Sequence, residues 1–200
     1  MKKYKVKIVG VTPYMQHRMD DAKLEEWEKN RKKIIERHDI SQEDIKRAMF
    51  HSYMDDKGKF YIPSEHVRGA LIEAGALVKS KVGNSRKSMK NIVAGMFFVM
   101  PSHLPIHQNF VIDKRSAVNK NIKARIIVIR PKWEQWETEF ELWVDNDTIT
   151  KETVQEILEN SGRYIGIGSF RPLCNGMYGR YEVNKVTLIS WLKFCNAVYS

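Results

Sequence analysis

Cysteine is scarce: Cys174 and Cys195 are the only two in 200 residues. Neither sits in metal-ligand spacing, so no disulfide framework and no cysteine-based zinc site is expected, and a reducing compartment is the simple inference. Long apolar runs are missing as well. No stretch reaches the length of a membrane span, and the opening MKKYKVKIVGV lacks an uninterrupted signal core. These lacks point to a cytoplasmic protein with no membrane partner. No internal repeat or low-complexity tract argues against one packed domain. Acidic residues are outnumbered, 24 against 34 Lys and Arg, for a formal net charge of +10. That surplus falls in loops as well as on helix faces and favours a polyanionic partner.

What is present suffices for one hydrophobic core. With 42% hydrophobic and 10% aromatic residues, the chain reads as a single domain over 1–200, carrying a helical insertion at 20–59 and an apolar tail at 190–200. Lys3 to Val11 alternates charged and apolar residues, the period of a half-buried strand. Asp20 to His38 has helix formers at helical spacing. Ser41 with Asp44 opens a second helix as a capping box. Phe60 to Ile62 predicts a short strand and Pro63-Ser64-Glu65 starts a helix to about Val78, with a core face at Val67, Ala70, Leu71 and Ala74. Lys79 to Lys90 has the composition of a mobile basic loop. Ile92 to Met100 predicts an interior strand, and Pro101 to Ser116 connecting chain with a basic patch at Lys114 and Arg115. Ala124 to Arg130 and Thr138 to Val144 predict a strand pair joined by a turn. Thr150 caps a helix that Gly162 stops, and Tyr178 to Ile189 returns as a strand. The order fits an α+β, modified ferredoxin-like (RNA-recognition-type) antiparallel sheet with helices on one face and inserted helices after the first strand.

The stretch from Arg163 to Val183 carries most chemistry. Gly166, Gly168, Gly176 and Gly179 allow close backbone approach. Arg163, Arg171 and Arg180 alternate with Tyr164, Phe170, Tyr178 and Tyr181. Guanidinium forks and main-chain amides suit phosphates, while rings suit unstacked bases, a mixture that matches single-stranded nucleic-acid binding. The alternative is a long loop whose glycines serve packing alone, with Phe170 and Tyr181 in the core.

Ile165-Gly-Ile-Gly-Ser-Phe-Arg-Pro followed by Gly176-Met-Tyr-Gly-Arg-Tyr resembles the terminal motif of a family of phage and prophage proteins of unassigned role. Thr12-Pro13-Tyr14-Met15-Gln16-His17-Arg18 and Tyr61 to Leu71 resemble that family's other two stretches. The family is similar, more distantly, to the RAMP superfamily of CRISPR backbone proteins, although Pro63-Ser64-Glu65 lacks the glycine of the RAMP helix start. The resemblance implies a modified RNA-recognition fold, RNA or single-stranded DNA across the sheet and its loops, and backbone contacts from Arg68, Arg171 and Arg180. It also implies a homo-oligomer or filament along the strand.

Together these readings give a nucleic-acid-binding set of His17, Arg18, Arg68, Lys79, Lys81, Arg86, Lys87, Lys90, Arg163, Phe170, Arg171, Tyr178 and Arg180, with no cofactor and no metal. His17 follows the first strand, where metal-free RAMP ribonucleases keep a general base, so a metal-independent endoribonuclease is the rival reading. A phage structural or adaptor protein with incidental charge is the third. His66 beside Glu65 reads as a helix-start residue. Leu-Pro-Ile between His103 and His107 prevents the helix that would align them on a metal. Asp20-Asp21 and Asp55-Asp56 suit helix starts and turns better than a magnesium site.

Overall fold

A computed structural model of the chain describes residues 1–18, 41–82, 85–119, 124–145 and 148–189, with the main chain alone at 80–82, 85–86, 117–119 and 124–126. The helix expected over Asp20 to His38 and the tail 190–200 lie outside the described residues. The first half holds β1 (Lys2–Gly10), β2 (Tyr14–Met15), α1 (Gln42–Phe50), β3 (Tyr61–Pro63), α2 (Ser64–Gly75), β4 (Lys79–Val82), β5 (Ser85–Ser88) and α3 (Lys90–Met96). The second holds β6 (Phe97–Met100), β7 (His103–Pro105), β8 (Val111–Asn119), β9 (Ala124–Trp133), β10 (Glu137–Val144), α4 (Lys151–Asn160) and β11 (Tyr181–Leu188). A π-helical turn, Ser161–Ile165, and a 3-10 turn, Pro172–Cys174, lie between α4 and β11.

The main sheet has four antiparallel strands in the order β11-β1-β10-β6. α2 lies on the connection from β1 to β6, and α4 on that from β10 to β11. This is consistent with the ferredoxin-like order read from the sequence. One face of the sheet is apolar by strict alternation: Tyr4, Val6 and Ile8 of β1 and Phe140, Leu142 and Val144 of β10 are all buried. Val67, Leu71 and Ala74 of α2 and Val154, Ile157 and Leu158 of α4 join them in one core. Both predicted caps form. Ser41 Oγ accepts from the Asp44 amide while Asp44 accepts from the Ser41 amide, and Thr150 Oγ1 accepts from the Thr153 amide. No helix among the described residues is long and apolar enough to cross a membrane.

The sheet's other face is charged but balanced. Lys5 pairs with Glu139 at 3.0 Å, Lys7 with Glu137 at 3.0 Å, and the Lys3 ammonium lies 3.9 Å from the Trp143 ring centroid. The lysine row that marks β1 in the sequence is therefore met by the β10 row opposite it. Lysines so neutralised offer less to phosphates than the sequence alone suggests.

Three segments differ from their sequence reading. Ile92 to Met100 is a strand only from Phe97; Lys90–Met96 is helix α3. Gly75 explains the switch, because a Cβ there would stand 2.9 Å from Val93 Cγ2. The missing side chain lets α3 press against α2, and that packing overrides the strand preference of Ile92 and Val93. Arg68 then takes the end of α3, donating to the carbonyls of Ala94 at 2.5 Å and Phe97 at 3.3 Å. Next, β9 and β10 both form but do not pair. β9 belongs to a second sheet, β2-β9-β8, while β10 inserts between β1 and β6. Buried Trp133 and Trp136 anchor the corner between them, donating to the carbonyls of Gln108 and Thr12, each at 2.9 Å. Alternation fixes which face of a strand is buried, not which strand lies beside it. Finally, the basic segment Lys79 to Lys90 holds the antiparallel pair β4-β5 and the first residue of α3, and the supposed connecting chain holds β7 and β8.

Candidate nucleic-acid interface

The glycine-rich loop is stitched along the chain that follows β1. The Ser169 amide donates to the Met15 carbonyl at 2.8 Å, the Gly179 amide to the Pro13 carbonyl at 2.8 Å, and the Val11 amide to the Arg180 carbonyl at 2.9 Å. Gly168, at φ +77, is required here: a Cβ would lie 2.5 Å from the Tyr14 ring and 2.6 Å from the Met15 oxygen. The first and last of the sequence stretches singled out above therefore form one seam.

Tyr14, fully buried, is the joint to the third stretch. The amide of buried Gln16 is oriented from both ends, because its Oε1 accepts from the Tyr53 amide at 2.8 Å and its Nε2 donates to the Tyr61 carbonyl at 2.7 Å. Nε2 also donates to the Tyr14 hydroxyl at 3.3 Å, and that hydroxyl lies 3.0 Å from His66 Nδ1. Burial raises the Tyr14 phenol far above its ordinary range, so it keeps its proton. Its oxygen accepts from Gln16 and its O–H donates to His66 Nδ1, which leaves His66 as the Nε2–H tautomer. Burial first, then the Arg171 charge, lowers the His66 pKa to about 4, so the ring is neutral near pH 7.

On the loop's outer edge the rings and cations meet. Phe170 is 41% exposed and its backbone is left-handed, at φ 57. Its ring packs edge-on against Tyr178 with centroids 5.8 Å apart. The Arg115 guanidinium lies 5.8 Å from the Phe170 centroid and 5.3 Å from that of Tyr178, and donates to the Tyr178 hydroxyl at 2.9 Å. Arg115 is held by Asp113, its neighbour on the same face of β8, and Asp113 lies opposite Arg130 of β9. Arg163 and Arg180 are exposed, and among the described residues neither side chain enters an ion pair. Arg171 donates to the Gly168 carbonyl at 3.0 Å. Tyr181 is buried as the packing alternative has it; Phe170 is not.

His17 stacks on His51 with ring centroids 4.7 Å apart, and His51 Nδ1 donates to the Arg18 carbonyl at 3.0 Å. Desolvation, followed by the charge of Arg130 and then His51, lowers the His17 pKa to about 4. An imidazole that protonates only near pH 4 is a weak general base at neutral pH. Its Nδ1 is buried and has no partner among the described residues, as is Arg130 Nε.

The other residues scatter. Arg18 is exposed beside this pair. Arg68 is occupied by main-chain carbonyls, as described. Lys90 is paired with Glu73 at 2.8 Å. Lys79 and Lys87 are exposed on the β4-β5 pair at the C-terminal end of α2, where the side chains of Lys81 and Arg86 lie outside the described residues. The structure thus brings His17, Phe170, Arg171, Tyr178 and Arg180 to one seam and leaves the β4-β5 pair at the far end of α2. Arg130 and His51 went unmarked by sequence reasoning. Arg130 reads as one more charge at a strand end, and only its cross-strand register with Asp113 sets it apart.

No protein-family model and no curated protein matches this chain. Among solved structures 59 chains match. One is a chain of the Type III-B Cmr-beta bound to cognate target RNA, determined by cryo-electron microscopy, at 12% identity and a TM-score of 0.51. The match covers 94% of this chain and 61% of that one, so this chain spans about three fifths of its length. The likeness is one of fold. It is a mixed α+β fold with antiparallel sheets and, among the described residues, four helices.

Proposed function

We propose that this chain is a RAMP-like protein that binds single-stranded nucleic acid, RNA before DNA, through the loop Arg163 to Arg180 and the seam beneath it. The observation that carries the reading is Phe170. A bulky aromatic in left-handed backbone costs on the order of 1 kcal/mol or more. Core packing does not explain that cost, because the ring stands outside the core with two fifths of its surface in solvent, edge-on to Tyr178 and beside Arg115. An exposed ring in a loop studded with unpaired arginines suits a base stacked between phosphates. The fold shared with a chain from a target-RNA-bound complex supports the same class of ligand. The balanced sheet face supports placing the strand on the loop, and the depressed pKa of His17 supports binding over cleavage.

Assembly as a repeating backbone along the strand is the finer part of this reading and rests on the RAMP resemblance. The test is fluorescence anisotropy of labelled single-stranded oligonucleotides with the intact chain, followed by electron microscopy of the mixture. Binding that weakens steeply with salt is expected, with filaments only when the strand is present. Equal binding at low and moderate salt, or none at either, overturns the proposal.

A further inference from the structure

Between α2 and the glycine-rich loop lies a cavity of about 230 Å³ that shares Arg171 and Gly168 with the strand-binding loop. Glu65, His66, Gly69 and Glu73 line it from α2, and Gly168, Arg171 and Leu173 are among those that line it from the loop. We propose that this cavity takes one unstacked nucleobase and that its edge chemistry selects guanine; the inference rests on the nucleic-acid reading above.

Gly69 is the first argument. It sits inside helix α2, where glycine is the poorest former after proline. A Cβ there would meet nothing within 4 Å, so neither packing nor backbone conformation demands glycine. Its one consequence is an open, flat helix surface lining the cavity. Glu65, Gly69 and Glu73 are spaced four apart and so lie on one face of the helix, spanning about 12 Å at the rise of an α-helix.

The donors and acceptors are the second. Lys90 holds both oxygens of Glu73, at 2.8 and 2.9 Å, whereas Glu65 has no ion-pair partner among the described residues. With Glu73 neutralised by Lys90, the Glu65 carboxylate is the acceptor the cavity offers, and a carboxylate favours the N–H edge of a base over a phosphate. The Tyr14 relay fixes His66 as an Nε2–H donor beside Glu65. A site that offers one donor next to a carboxylate able to accept two N–H groups matches the guanine edge: O6 accepts, N1–H and the N2 amino group donate. Adenine, cytosine and uracil each lack the paired N–H groups. Leu173 supplies an apolar surface for a ring face, and Arg171 a planar guanidinium.

The experiment is an NMR titration of the intact chain with guanosine, adenosine, cytidine and uridine monophosphates, read at the Gly69 and Gly168 amides and the His66 imidazole. Guanosine monophosphate is expected to move these signals and to bind about tenfold or more tighter than the other three. Glu65→Gln removes that preference. Gly69→Ala adds a methyl group to the lining and weakens guanosine monophosphate at least about tenfold, although the substituted helix is more stable and the variant folds. Four mononucleotides bound alike, or undiminished binding by Gly69→Ala, overturn the pocket. An oligouridine titration run alongside separates the two readings. Oligouridine held without guanosine monophosphate sinks the pocket alone. The converse sinks the strand reading and leaves a mononucleotide site.

Discussion

Replacing Phe170 with alanine and, separately, Arg180 with glutamine divides the affinity of the loop into stacking and charge. The Phe170 ring is 41% exposed and rests edge-on against Tyr178, so its loss removes one stacking surface while Tyr178 stays tied to Arg115. Stacking of one base on an aromatic ring is worth about 1–3 kcal/mol, which raises Kd between about 5-fold and 150-fold. No charge is lost, so the slope of log K against log salt stays that of the parent. Arg163, Arg171 and Arg180, each taking one phosphate, give a slope near −2 for a single strand and a loss of about 20-fold from 50 to 200 mM salt. Without Arg180 the slope falls by about 0.7 and that loss shrinks to about 7-fold. Anisotropy of a fluorescein-labelled single-stranded oligonucleotide across that salt range reads both quantities. If Phe170→Ala binds like the parent, or changes the slope rather than the affinity, the assignment of stacking to this ring is wrong.

Two glycine substitutions should move stability in opposite directions in urea titrations. Gly168→Ala costs about 2–3 kcal/mol or more, since φ is +77 and the new Cβ meets both Tyr14 and Met15, whereas Gly69→Ala gains about 1 kcal/mol by helix preference alone. Acid should destabilise the fold in a particular window. His17 and His66 have folded pKa values lowered to about 4 from 6.5, so the unfolded chain binds their protons first. Their contribution is whole above pH 6.5 and is lost as pH falls toward 4, before most carboxylates titrate. Urea midpoints at pH 7, 6 and 5 should fall in that order, and a flat series contradicts the buried, neutral imidazoles. Tyr14→Phe strands a Gln16 N–H and His66 Nδ1, and should cost about 1–3 kcal/mol in the same assay.

The frame of the fold is readable where one residue type does one job. The alternation of Lys3 to Val9 marks β1, Ser41 and Thr150 mark helix starts by a side chain that only a helix end needs, and the apolar face of α2 announces its burial. What the sequence hides depends on partners far along the chain. Ile92 and Val93 read as strand because nothing local reveals that Gly75 has cleared a place for them on α2. The charges of Lys5 and Lys7 look available until Glu137 and Glu139 are set against them. Arg68 looks like a phosphate ligand until its guanidinium is found on the carbonyls of α3. At the candidate site the arginine-aromatic alternation of residues 163–181 showed which segment to inspect. It could not show Arg115, which arrives from another sheet, nor that a glycine in mid-helix lines a cavity.

That three separate stretches of sequence close on Tyr14 has a functional consequence. Gly168 lies against its ring, Gln16 donates a hydrogen bond to its hydroxyl, and that hydroxyl donates one to His66. The same side chain therefore sets the height of the exposed loop that carries Phe170 and the tautomer of the imidazole in the α2 cavity. A change at Tyr14 should reach both at once: with phenylalanine there, His66 is free to place its proton on Nδ1, and its Nε2 turns from donor to acceptor. A guanine oxygen then faces a lone pair, while the apolar contact with Gly168 survives. Tyr14→Phe should thus abolish guanine preference far more than it weakens oligouridine binding. Equal losses of the two would mean that Tyr14 acts on the loop as a packing group and that the relay through its hydroxyl has no part in recognition.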